Sequence, residues 1–236
     1  MNELSPAPRI LLACLALAAC ATTRAQSSCD SDREPRPVAL LERFISADCE
    51  SCWTDAKTPR AAKGDLVLDW IVPGARGDDA PLAAAATRDA RPRLEALHRP
   101  PPAAADTARH GSGRADHRLR VAQGPAFNGY IGTSIALQPG RGGPWQAWLV
   151  LVETLPAGTE GSPVERNLVR NAFRPDWDGA RPLSKKEQSK LYESRPMQIP
   201  EGARPDRLRV VGWVEDAQGR IRGIAQSRCA SPKGKG

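Results

Sequence analysis

PVALLERFISADCESCWTDAKTPRAAKGDLVLDWIV, residues Pro37 to Val72, decides the reading of the fold. Pro37 to Ser46 is nearly continuously apolar, as is Asp65 to Val72. Runs of this length without polar alternation suit strands covered on both faces. Between them lie Cys49 and Cys52, two residues apart, followed by a stretch with helical character from Trp53 to Ala62. Beyond them, Ala80 to Leu97 places Ala83, Ala84, Thr87, Arg91 and Leu94 at helical spacing, with Pro92 expected to kink or shorten the helix. Strand, cysteine pair, helix, strand, helix predicts a parallel α/β unit over residues 37–97.

Outward from this unit the pattern changes. His98 to His117 is rich in Pro, Ala and Gly without periodicity, and reads as a linker. It holds all three histidines, His98, His110 and His117, whose irregular spacing does not suit a metal site. Residues 118–229 read as a β-rich domain, an antiparallel sheet or sandwich. Its strands are expected at Arg118–Gln123, Tyr130–Gln138, Gln146–Thr154, Leu208–Glu215 and Ile221–Gln226. Asp216 to Gly219 supplies a hairpin turn. Ser184 and Glu187 form a capping box for a helix over Lys185 to Glu193. The tryptophans read as packing anchors.

The N-terminus predicts export. An apolar core of about ten residues, Ile10 to Ala19, matches a secretory signal and is too short to span a bilayer. Two exits compete within residues 1–25. Leu17-Ala18-Ala19-Cys20 reads as a lipobox, with Cys20 acylated, and a cut after Ala25 would release a soluble protein. The expected locations are therefore the periplasm or an outer-membrane lipoprotein, with membrane contact only through the lipid. Either exit leaves four cysteines, Cys29, Cys49, Cys52 and Cys229. Cys49 pairs naturally with Cys52, and a Cys29–Cys229 bridge would tie together the two ends of the exported chain.

The formal net charge is +7, but the basic residues are scattered and not interleaved with aromatics, so nucleic-acid binding is not expected. No cofactor is called for, and no second CxxC completes a zinc site. No nucleophile elbow points to a hydrolase.

A CxxC at a helix start has its own chemistry. Free N–H groups there stabilise a thiolate on the first cysteine. Cys49 is thus the expected attacking thiol and Cys52 the resolving one. Glu50 and Asp48 set negative charge beside that thiolate, which disfavours it and makes the pair more reducing, unless Asp48 serves mainly as a cap. The competing reading is a structural disulfide, although a loop this small gains little from entropy. Asn167, Arg170 and Asn171 form a cluster suited either to an anionic group or to ordinary surface contacts.

Several segments carry a resemblance. Phe44, Ile45, Ser46, Cys49 and Cys52, the pair Asp69-Trp70, the run Asn167-Leu168-Val169-Arg170 and the closing hairpin Val210 to Ala225 resemble a family of exported bacterial thioredoxin-like proteins catalogued as domain of unknown function 1223. The resemblance covers most of Pro37 to Gln226. It implies a thioredoxin-like fold, thiol–disulfide exchange with a protein substrate, and a cis-proline opposite the CxxC, for which Pro125 in Gly124-Pro125 is the best match. Trp53 departs from the family pattern, where proline usually follows the second cysteine. The alternative function is a non-catalytic envelope protein whose β-domain binds a protein or cell-wall partner.

Overall fold

The computed structural model describes residues 29–113, 118–138, 144–177 and 191–229. The signal segment, Cys20, His117 and most of the helix expected over Lys185 to Glu193 lie outside the described residues. The elements run β1 (Cys29–Asp30), β2 (Ala39–Ser46), α1 (Glu50–Trp53), β3 (Asp65–Val72), α2 (Ala90–Ala96), β4 (Ala105–Gly111), β5 (Arg118–Phe127), β6 (Tyr130–Gln138), β7 (Gln146–Leu155), β8 (Arg166–Phe173), β9 (Leu191–Gln198), β10 (Leu208–Glu215) and β11 (Ile221–Gln226).

These strands form two sheets. One has seven strands in the order β11-β10-β7-β8-β3-β2-β4, and the other has four in the order β1-β5-β6-β9. β2 and β3 pair in parallel, as their continuous apolar runs suggest. β4 closes one edge, antiparallel to β2, and β8 runs parallel to β3 on the other side.

The expected α/β thioredoxin-like unit is not what the chain forms. Among the described residues 49% are strand and 11% helix, in two sheets. The reason is local. Pro59 falls inside the stretch expected to be helical after the cysteines, and α1 ends at Trp53 after one turn, with Thr54 as its cap. The helix expected over Ala80 to Leu97 is likewise broken. A 3₁₀ turn covers Ala83–Ala85, the chain extends at Ala86, and only Ala90–Ala96 is α-helical. The stretch read as a linker contains β4, which continues the sheet. Residues 37–97 and 118–229 therefore share one seven-stranded sheet.

Among the described residues, apolar side chains gather in three clusters. Between the sheets, Val121, Ile135 and Leu137 of the smaller sheet meet Leu149, Leu151, Val210 and Val214 of the larger. Gly212 in β10 permits this approach, since a Cβ there would lie 2.7 Å from Val121 Cγ1 and 2.9 Å from Ile135 Cδ1. The second cluster covers the other face of the large sheet. Leu40, Phe44, Leu68 and Trp70 pack with Trp148, Trp213 and the α2 residues Ala90 and Leu94. Each such large side chain, fully buried, contributes roughly 1.5–3 kcal/mol. The third cluster sits under the cysteine pair and includes Ile45, Ala47, Trp53, Ile71, Leu155 and Leu168.

Candidate functional site

Cys49 and Cys52 form a disulfide at the C-terminal end of β2. Cys49 N donates to the Ser46 carbonyl at 3.0 Å, and Cys52 N to the Cys49 carbonyl at 3.2 Å, so the chain turns directly out of the strand into α1. With α1 only one turn long, the helix expected to stabilise a thiolate is reduced to a few N–H groups. The two sulfurs differ in setting. Cys49 lines an open cleft of about 480 Å³ with Asp48, Glu50, Arg76, Asp79 and Ala103. Cys52 packs against the apolar cluster that holds Trp53 and Ile71.

Asp48 is committed to its neighbours. Its carboxylate accepts from Ala75 N at 2.7 Å and Arg76 N at 3.3 Å, and pairs with the Arg76 guanidinium at 3.5 Å. It therefore caps the loop after β3, and Glu50 is left as the exposed acid beside the pair. Gly74 makes room for this arrangement, because a Cβ there would fall 2.3 Å from the Asp48 carboxyl carbon.

Beneath the pair lies a buried ionic network. Arg43 and Asp69 sit opposite each other in the β2–β3 register, and Arg43 Nη2 donates to Asp69 Oδ2 at 2.6 Å. Arg166 Nη1 donates to Asp69 Oδ1 at 3.2 Å, and Asn167 N to Oδ2 at 2.8 Å. Arg166 then reaches the cysteine turn. Its Nη2 donates to the Trp53 carbonyl at 2.7 Å, Thr58 Oγ1 at 3.1 Å and the Cys52 carbonyl at 3.4 Å, and its guanidinium stacks on the Trp53 ring. Trp53 Nε1 donates to the Glu160 carbonyl at 2.8 Å. The β7–β8 connection thus clasps the turn from below. Burial first, with Arg43 adding to it and Asp69 opposing, holds Arg166 below the ordinary guanidinium range.

A second network lies on the α2 side of the sheet. Arg93 bridges Glu42 at 2.7 Å and Glu215 at 2.7 Å, with Trp70 and Trp213 indoles donating to the same carboxylates. His110 Nε2 stands 3.9 Å from Glu42 without a hydrogen bond, and burial lowers its proton affinity.

The other residues read from the sequence fall elsewhere. Pro125 lies in β5, in the four-stranded sheet, where the β5–β6 register shifts between Gln123 and Ala126. It is not among the residues lining the Cys49 cleft. Cys29 and Cys229 form the second disulfide, and the β-bridge of Asp30 to Arg228 lies beside it. The Asn167, Arg170 and Asn171 cluster disperses. Asn167 binds Thr154 and Arg209, Arg170 pairs with Glu153 at 2.6 Å, and Asn171 donates to the Gln198 carbonyl.

Sequence reasoning missed Arg166, Arg76 and Ala103. It also passed over Arg43, although two opposite charges at matching positions of two apolar strands were a legible signal. Among the described residues no cluster of His, Cys, Asp and Glu is placed to hold a metal, and no helix is long and apolar enough to cross a membrane. Comparison with family models, curated proteins and solved structures finds no match.

Proposed function

We propose that the protein is an exported thiol–disulfide exchange protein acting through Cys49 and Cys52. One observation carries the reading. Cys49 lines an open cleft, whereas Cys52 is packed against the core and its carbonyl is held by Arg166. That asymmetry suits one attacking and one resolving sulfur.

In the reduced protein the Cys49 thiolate attacks one sulfur of a substrate disulfide and releases the other as a thiolate. The Cys52 thiolate then attacks the Cys49 sulfur of the mixed disulfide and releases the second substrate sulfur. The substrate gains two electrons and two protons, and the Cys49–Cys52 disulfide forms. Reduction by an external dithiol returns the pair to its starting state, and the same steps in reverse oxidise a substrate dithiol. The apolar run Ile10 to Ala19 supports export, with lipid attachment at Cys20 or release after Ala25 as the two exits.

The test is the reduction potential of the pair, read after equilibration in glutathione or dithiothreitol mixtures. Alkylation and peptide mass spectrometry read the pair separately from Cys29–Cys229, which has one buried and one exposed cysteine. A potential between about −120 and −270 mV supports exchange. A potential below about −300 mV, or no exchange, assigns the pair as a staple held by the Arg166 clasp.

A further inference from the structure

The cleft that Cys49 lines has a charge opposite in sign to that of the chain. Its walls carry the carboxylates of Asp48, Glu50 and Asp79 and the guanidinium of Arg76, whereas the whole chain carries a formal +7. Arg76 is committed to Asp48. Its Nε lies 3.5 Å from Asp48 Oδ1, and its Nη2 donates to the Asp48 carbonyl at 3.5 Å. Glu50 and Asp79 are left over. Both are exposed, and neither carboxylate has an ion pair or a side-chain hydrogen bond among the described residues.

The charged residues next along these loops leave the balance unchanged. Asp55 is offset by Lys57, and Asp78 by Arg91, whose guanidinium donates to the Pro73 carbonyl. Near Ala103, Arg99 and Asp106 pair with each other. The sulfur of Cys49 belongs to the same surface. It accepts from Ser51 Oγ at 3.5 Å, and Ser51 is exposed and lines the cleft beside it. Pro81 and Ala103 add exposed apolar wall, which suits the methylene stem of a lysine or arginine.

A substrate that reaches Cys49 therefore meets the uncompensated charges of Glu50 and Asp79, and that of the thiolate as well. Fixed charge of one sign in a cleft raises the local concentration of the opposite sign and the rate of encounter. We propose that the Cys49 cleft selects cationic disulfides, those whose sulfurs are flanked by Lys or Arg, over neutral and anionic ones. The proposal rests on the exchange reading above and names its substrate class. The step is the same. The Cys49 thiolate bonds to the near sulfur of the substrate, the substrate S–S bond breaks, and the far sulfur leaves with its electron pair and takes a proton from water. The Cys52 thiolate then displaces the second substrate sulfur, so the pair is oxidised and the substrate disulfide reduced.

The probes are disulfides of similar size: cystamine, which is cationic, hydroxyethyl disulfide, which is neutral, and dithiodiglycolate, which is anionic. The reduced protein is mixed with each at one pH. Loss of free thiol is followed by alkylation and mass spectrometry of the peptide that holds Cys49 and Cys52. Each rate is divided by that of dithiothreitol with the same disulfide, which removes the reactivity of the disulfide itself. At an ionic strength of about 0.01 M the normalised rate for cystamine should exceed that for dithiodiglycolate by about tenfold, with the neutral probe between them. The ratio should fall toward unity at about 1 M salt, where the screening length is about 3 Å. Glu50→Gln and Asp79→Asn should each lower the ratio, and together bring it within about twofold of unity. Within one variant all probes meet the same thiolate, so a change in its proton affinity cancels from the ratio. A ratio near unity in wild type, or one left unchanged by salt or by the double variant, would overturn the selection while leaving exchange in place. No exchange with any probe would overturn the exchange reading, and this one with it.

Discussion

Replacing Asp69 by Asn tests whether the ionic network under the cysteine turn holds that turn in place. Asp69 is fully buried and receives Arg43 at 2.6 Å, Arg166 at 3.2 Å and Asn167 N at 2.8 Å. Asparagine preserves the volume and one acceptor oxygen but removes the charge, and its amide directs two donors at two guanidinium groups. Removing one member of a buried ion pair costs about 3–5 kcal/mol, mostly from the cation left uncompensated. With a urea m-value of about 1–3 kcal/mol/M, the unfolding midpoint should fall by about 2 M at unchanged slope. The tryptophans give the signal by fluorescence, because Trp53 stacks on Arg166 within the network. The double variant Asp69→Asn/Arg43→Met should recover part of the loss, since it also deletes one orphan cation. A fall below about 0.5 M, or a double variant no more stable than Asp69→Asn, would refute the reasoning.

Stability should also depend on pH through His110. Burial lowers its proton affinity in the folded state, so folding favours the neutral ring. Its contribution is complete above the ordinary histidine value near about 6.5 and is lost as the pH falls below it. The melting temperature of wild type should therefore drop more between pH 7.5 and 5.5 than that of His110→Asn, and equal drops in differential scanning calorimetry would contradict this. Gly212→Ala should cost about 1–3 kcal/mol, because the new methyl group meets Val121 and Ile135 between the sheets. A thermal melt unchanged from wild type would mean that the sheets move apart freely.

The legible parts of the fold were those where burial alone sets the sequence. β2, β3, β7 and β10 are nearly continuous in apolar residues because both of their faces are covered. Gly219 marked the β10–β11 turn and takes φ 71° there. β4, ADTARHG, buries only Ala108 fully, so as an edge strand it carried no pattern. β9 is similar. It lies at the edge of the small sheet, is mostly exposed, and tolerates Pro196 for that reason. The parallel β2–β3 pair was read correctly, but of the helices inferred around it the first, which holds Pro59, stops after one turn and the second forms only over Ala90–Ala96. At the site, the cysteine pair was visible and its support was not. Arg166 comes from more than a hundred positions along the chain, and Arg93 and Glu215 are 122 positions apart. Contacts of that range are set by the sheet order, which no local pattern encodes.

The Cys29–Cys229 bridge has a topological consequence. It joins two backbones whose Cα atoms are 4.1 Å apart across 200 positions, so every described residue lies on one closed covalent ring. A single cut anywhere on that ring leaves one molecule, with every strand still tethered to both sheets. In an environment rich in proteases, the first nick becomes a change of chain ends instead of a loss of parts.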